Sequence, residues 1–255
     1  MEIKSLIVRF DIDTHKCLKK GVPRLLPVLE SLGIKAVFFV TMGRQISLKE
    51  IVINSAGKRR VNFSTYEKVR KISILKKLGI LETLRVLLFN PLIGQKNIPL
   101  LHEILNAGHE LGLHGGMNHA LWQRRASFMS YEEIEKHCMP ALSIFKKEFG
   151  QPFGFASPGF VTSEVIVEWL VHNKFKYHVD SYGREATPVL NKSIAVFPVN
   201  VLGEETVPFI EYHDACGAGD ESRLALPRER RPQQVVLPVG RLLRSPRAVG
   251  CTLGL

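Results

Sequence analysis

Short unbroken apolar runs alternate along residues 3–212 with stretches whose apolar positions recur every three or four residues. The first kind reads as buried strands and the second as amphipathic helices. Residues 3–10 form such a run, too short for a core helix. Residues 21–32 read as a helix: Pro23 suits its first turn, Leu25, Leu26, Val28, Leu29 and Leu32 give an apolar face, and Gly33 closes it. Residues 36–40 are a second strand, so the chain opens with a β-α-β unit and a right-handed parallel pair. The same alternation resumes with a helix at 99–107, a strand at 110–113 and a helix that Ser130 and Glu133 open as a capping box. A strand at 153–156, a helix at 162–173, and strands at 175–179, 194–198 and 207–212 follow. Such alternation predicts an α/β barrel or a doubly wound sheet.

Residues 44–98 interrupt this rhythm. Val69, Ile72, Leu75 and Leu78 recur at helical spacing in a lysine-rich stretch, 66–78, and a more apolar stretch, 81–89, stops at Asn90 and Pro91. Together they predict a basic helical hairpin with one greasy face. It either packs on the body with its basic face solvated or lies on an anionic membrane surface.

Composition adds size and compartment. With 255 residues, 45% of them hydrophobic, the chain can bury one large core or two small ones. It has no apolar run of 18 residues and no basic-apolar-small leader, so neither a membrane span nor a signal peptide is expected. Cys17, Cys138, Cys216 and Cys251 are far apart and form no CxxC pair, which fits a reducing cytosol. The net charge of +11 is concentrated: residues 44–98 hold twelve Lys and Arg against three acids, and residues 215–255 hold seven Arg against three acids. No interleaving of aromatic and basic residues accompanies it, so no nucleic-acid partner is expected. Beyond about Asp214 the sequence turns rich in Arg, Pro, Gly and Ala, with one candidate strand at 235–239. A disordered tail, or the product of a reading-frame error near codon 214, is expected there; resequencing that region tests the latter.

The candidate chemistry lies at strand ends. Leu6, Ile7 and Val8 lead into Asp11 and Asp13, which alternation places on one face of the strand. His114 and His119 follow a later strand in a glycine-containing loop. Two carboxylates and two imidazoles are the ligand types of a divalent metal, with zinc first and manganese, cobalt or nickel as alternatives.

The run from Arg9 to Thr14, followed by Gly21, Val22, Pro23 and Arg24, resembles the opening of the polysaccharide deacetylase superfamily. The closest resemblance is to its branch that deformylates lipid-linked 4-deoxy-4-formamido-arabinose. The segments from Glu110 to His114 and from His119 to Gln123 are similar to that branch's histidine segment, and 44–98 is similar in place to its insertion. The resemblance implies a distorted (β/α) barrel, incomplete at the C-terminus. It implies a catalytic domain over 1–214 carrying the insertion 44–98, with 215–255 outside it. It assigns Asp11 as general base, Asp13, His114 and His119 as metal ligands, and Asp180 as the residue that orients a general-acid histidine.

Three departures accompany the resemblance. The two histidines stand five apart where the family has four, so Gly115 or Gly116 must bulge if both are to reach the metal. Ala156 stands where the family usually has an arginine. The last family motif, which carries the general-acid histidine, is missing, and His213 is not in such a motif. Reduced turnover and an open barrel are therefore expected. His15, His102, His109, His137, His172 and His178 read as ordinary surface or core residues, with His15 set apart by its nearness to Asp13.

The resulting expectation is a metal-dependent hydrolase of a formyl or acetyl amide on a sugar, in its sharpest form the deformylase of undecaprenyl-phosphate-linked 4-formamido-arabinose in lipid A modification. It would be cytoplasmic, peripheral at the inner membrane, and in contact with anionic lipid through 66–89. The alternatives are a soluble polysaccharide or N-acyl-sugar deacetylase, and a catalytically impaired, truncated homologue that only binds.

Overall fold

The structure, a computed structural model, describes residues 7–45, 80–182, 189–191, 193–199 and 252–254. The expected helix 66–78 and the expected strands 207–212 and 235–239 lie outside these residues. Strand β1 (Val8–Ile12), helix α1 (Val22–Ser31) and strand β2 (Ala36–Val40) form the opening β-α-β unit. Then come α2 (Ile80–Phe89), α3 (Ile98–Asn106), β3 (Glu110–His114), α4 (His119–Arg125), α5 (Tyr131–Phe149), β4 (Gly154–Ala156) and α6 (Glu164–His172). Strands β5 (Tyr177–Tyr182), β6 (Val189–Asn191), β7 (Ile194–Val199) and β8 (Thr252–Gly254) complete the set.

All eight strands join one curled sheet in the order β6-β7-β5-β4-β3-β2-β1-β8, parallel throughout except for the β6–β7 pair. This is a curled α/β half-barrel: the alternation predicts the α/β class, and the family resemblance the incomplete barrel. Asp11 pairs with Phe39 and His114 with Ala156, so the carboxyl ends of β1 to β4 form one edge. Parallel α/β sheets gather their chemistry at that edge.

The main core lies between the sheet and its helices. Phe10, Ile12, Phe38, Leu113 and Phe155 meet Leu101, Ile104, Ile134, Leu142, Ile166 and Trp169, all essentially inaccessible. Burying each such side chain contributes about 1.5–3 kcal/mol. The capping box is formed as predicted: Ser130 Oγ accepts the Glu133 N–H and Glu133 Oε2 accepts the Ser130 N–H at 3.0 Å. Ile134, Cys138, Ala141, Leu142 and Phe145 are the buried face of α5.

Two expectations shift. Helix α1 buries Val22 and Leu29 and half-buries Leu25 and Leu26, whereas Val28 and Leu32 are exposed. Positions 22, 25, 26 and 29 form one stripe, and 28 and 32 lie off it. Strand β1 continues past Phe10 to Ile12, and β5 runs past Val179 to Tyr182. In β1 polar residues alternate with apolar ones, because Arg9 and Asp11 stack along the concave face while Phe10 and Ile12 meet the helices; in β5 Tyr177 and Val179 join the concave face, and the register shifts between His178 and Ser181. That concave face holds a second, smaller cluster of Val37, Phe39, Ala156, Tyr177, Val179 and Phe197. Gly112 makes room for it, since a Cβ there would sit 2.5 Å from the Phe39 ring.

A candidate metal centre at the carboxyl edge of the sheet

Asp13 leaves the end of β1 and meets two imidazoles. His114 Nε2 lies 2.9 Å and His119 Nε2 3.2 Å from its Oδ1. That oxygen is enclosed yet accepts no hydrogen bond of proper geometry. Donor atoms of Asp13, His114 and His119 all lie within 4.8 Å of one another, the only such cluster among the described residues. His114 and His119 are buried, and Asp13 is partly open to solvent. His114 Nδ1 lies 2.9 Å from the Ala156 carbonyl. Donation there fixes the tautomer and leaves Nε2 as a free lone pair, the usual outer support of a metal-binding histidine. Two imidazole nitrogens and one carboxylate oxygen, gathered in this way, fit a divalent ion such as zinc.

The five-residue spacing is resolved by a bulged loop. Gly115 adopts φ 62° and its N–H donates to the Ala156 carbonyl, 3.0 Å away. Asn118 then caps α4 by accepting the Leu121 N–H, so His119 is the first residue of a helix. The loop is tied down on two sides. Arg44 N–H donates to Met117 O and His119 N–H to Arg44 O, at 2.9 and 3.0 Å, while Met117 N–H donates to His137 O at 3.1 Å.

Electrostatics follow from this packing. Burial works to raise the Asp13 carboxyl, but the charge of His119 and contacts with both imidazoles outweigh it and hold it below the usual carboxylate range. Burial works to lower His114, yet the charge of Asp11 and the contact with Asp13 raise it. An opposite charge nearby favours the ionised form in both cases.

Asp11 does not join the cluster. Arg9 holds it in a fork, with Nε 2.6 Å from Oδ1 and Nη2 2.5 Å from Oδ2. Arg9 Nη1 also donates to Val179 O at 2.8 Å. The guanidinium lies 5.3 Å from the Phe39 ring and 4.6 Å from the Phe160 ring. Phe160 has φ 56°, directly after Gly159 at φ 65°. That conformation costs a non-glycine residue about 1–3 kcal/mol, and it accompanies the placing of the ring on Arg9.

Asp180 lies apart from the cluster but is linked to it. It accepts the Ser157 N–H at 2.5 Å and the Ser157 hydroxyl at 2.8 Å, and so pins the residue after Ala156, whose carbonyl anchors His114. His178 Nδ1 lies 3.3 Å from Asp180 Oδ2, but the imidazole is buried and neither of its nitrogens makes a hydrogen bond. His15 Nε2 lies 3.4 Å from Arg85 Nη2 of α2.

The supports missed from the sequence are Arg9, Ser157 and His137. Arg9 had a readable signal, because it sits two residues before Asp11 and shares its strand face. Ser157 and His137 act across long sequence separations, which one sequence does not show.

The polysaccharide deacetylase family profile matches residues 1–177. The chain belongs to the polysaccharide deacetylase family. Two curated relatives share the name "Probable 4-deoxy-4-formamido-L-arabinose-phosphoundecaprenol deformylase ArnD". The one from Shewanella sediminis is 25% identical over 178 residues, 69% of this chain and 56% of the relative. The one from Wigglesworthia glossinidia brevipalpis is 31% identical over 175 residues, 65% of this chain and 56% of the relative. This chain thus spans a little over half the length of the relatives it matches. Among solved structures, the Streptococcus pyogenes deacetylase PplD in complex with acetate is similar at a TM-score of 0.44 and 12% identity, over 74% of this chain and 62% of that one.

Proposed function

We propose that this polysaccharide deacetylase family chain hydrolyses a formyl or acetyl amide on a sugar, with Asp13, His114 and His119 holding a divalent metal and Asp11 acting as general base. The observation that carries this reading is the convergence of three ligand atoms within 4.8 Å, beside a second carboxylate held separately. A divalent ion at such a site supplies a bound water of lowered pKa and polarises the amide carbonyl. Asp11 faces the same edge, and each of its oxygens keeps a lone pair beyond the Arg9 fork, so it takes the proton of the attacking water. Asp180 acts at one remove, by holding Ser157 and through it the Ala156 carbonyl that orients His114.

The sharper reading takes its substrate from the relatives' names, an undecaprenyl-phosphate-linked 4-formamido-arabinose, and places the reaction in lipid A modification on the family resemblance alone. Helix α2 supports a peripheral membrane contact, since Leu84, Leu88 and Phe89 are 48%, 72% and 74% exposed. No described helix is long and apolar enough to cross a membrane. A second reading, a homologue that binds without turning over, draws on one observation: among the described residues the histidine against Asp180 is the buried His178.

The test is formate release from the formamido-arabinosyl lipid, run beside acetate release from N-acetylglucosamine oligomers. Formate release abolished by Asp11→Asn supports the deformylase. Acetate release alone moves the substrate to polysaccharide. Neither product from metal-loaded protein refutes the enzyme and leaves the binding homologue.

A further inference from the structure

Asp11 and Asp13 are chemically alike and two residues apart, yet only Asp13 presents an oxygen to the imidazoles. We propose that Arg9 sorts this pair: its fork closes on both oxygens of Asp11, keeps that carboxylate out of the metal's ligand set, and leaves Asp13 as the single carboxylate ligand. The inference rests on the metal reading above.

Three observations carry it. The fork is bidentate, with Nε 2.6 Å from Oδ1 and Nη2 2.5 Å from Oδ2, which fixes the carboxylate plane as well as its position. The guanidinium itself cannot swing away: it is 4% exposed, donates to Val179 O, and sits against the rings of Phe39 and Phe160. Among the described residues Asp11 pairs with no other cation, whereas the ion-pair partners of Asp13 are the two imidazoles alone. Arginine suits this task because it stays charged and its planar fork matches a carboxylate. The Arg9–Asp11 pair is neutral as a unit, so an incoming cation meets the charge of Asp13. Without Arg9, Asp11 adds a second negative charge and a fourth protein ligand. Arg9 is thus a positioning residue, and its effect is readable in metal binding without any substrate.

The experiment measures Zn²⁺ affinity by competition with a chromophoric chelator for wild type, Arg9→Met, Asp11→Asn and the double variant, with circular dichroism as the check on folding. Leaving the Asp11 charge uncompensated, two residues from Asp13, should shift affinity by at least about tenfold at the effective dielectric of a partly buried site. Arg9→Met therefore binds zinc at least about tenfold more tightly, Asp11→Asn binds more weakly, and the double variant returns to near wild type. Cobalt substitution provides a second signal, because entry of Asp11 into the ligand set changes the visible spectrum of Arg9→Met. Unchanged or weaker zinc binding in folded Arg9→Met overturns the proposal. If Arg9→Met does not fold, Arg9→Lys carries the test: it keeps the charge but not the fork, and an unaltered cobalt spectrum overturns the proposal. A folded wild type that takes up no zinc overturns the metal reading and this inference together. Zinc in the wild type without the Arg9→Met increase overturns this inference alone.

Discussion

Gly115 is the residue on which the unusual histidine spacing turns, and replacing it with alanine has two separable costs. Its φ of 62° is left-handed, which costs an alanine about 1–2 kcal/mol. An added Cβ would also stand 2.7 Å from Pro158 Cδ and 2.8 Å from its Cγ, closer than real Cβ contacts come, and the proline ring cannot rotate away. Overpacking of this kind costs about 1–3 kcal/mol, so Gly115→Ala should destabilise the fold by about 2–5 kcal/mol. The clash pushes the loop away from the Ala156 carbonyl, which accepts both the Gly115 N–H and a contact from His114 Nδ1. Metal affinity should fall about 10- to 100-fold, as when an outer support of a ligand is lost. Gly33 is the control. Its φ of 64° is nearly the same, but a Cβ there meets nothing within 4 Å. Gly33→Ala should cost about 1–2 kcal/mol by backbone strain alone and leave zinc binding untouched. Urea denaturation and chelator competition on both variants give the comparison. Equal destabilisation by the two substitutions, with zinc affinity unaltered in Gly115→Ala, would refute the argument that Pro158 and this glycine set the loop.

Two further predictions concern stability. Burial, with a smaller contribution from the nearby Lys35 charge, pushes His109 down to about 4, and its Nδ1 accepts the Ala36 N–H at 3.2 Å. Because the unfolded imidazole protonates first, this stabilisation is fully present above about pH 6.5 and is lost as pH falls toward 4. About 3 kcal/mol should disappear across that window in wild type, and His109→Gln should flatten the pH profile of urea unfolding there; a parallel profile would contradict it. Ser130→Ala removes the cap of the 19-residue helix α5 and should cost about 1 kcal/mol, read as a lower urea midpoint at unchanged slope; no shift would mean that the cap is dispensable.

Much of this fold was legible because the signals were local. The run from Ala36 to Val40 has no polar residue, and its strand matches residue for residue; Ser130, Glu133 and Gly150 bracket α5 with chemistry that acts within four positions. Element ends were less legible where burial is decided by distant partners. Strand β1 continues through Asp11 because Arg9 neutralises it, and Val28 of α1 is exposed because the sheet meets the other side of that helix. The same division runs through the site. Asp11, Asp13, His114 and His119 could be named together from residue type and strand-end position; their division into three ligands and a base came from the family resemblance, and the glycine bulge was foreseen in kind. The supports were less legible: Asp180 was named, but for holding a general-acid histidine, whereas it holds Ser157 beside the Ala156 carbonyl, a link set by the sheet register that a single sequence does not display.

The central claim is that Asp13, His114 and His119 bind one metal ion. Elemental analysis of purified wild type, beside Asp13→Ala and His114→Ala, tests it most directly. About one divalent ion per chain in wild type, lost in both folded variants, is the predicted result. A folded wild type without metal, or variants that retain it, would contradict the claim.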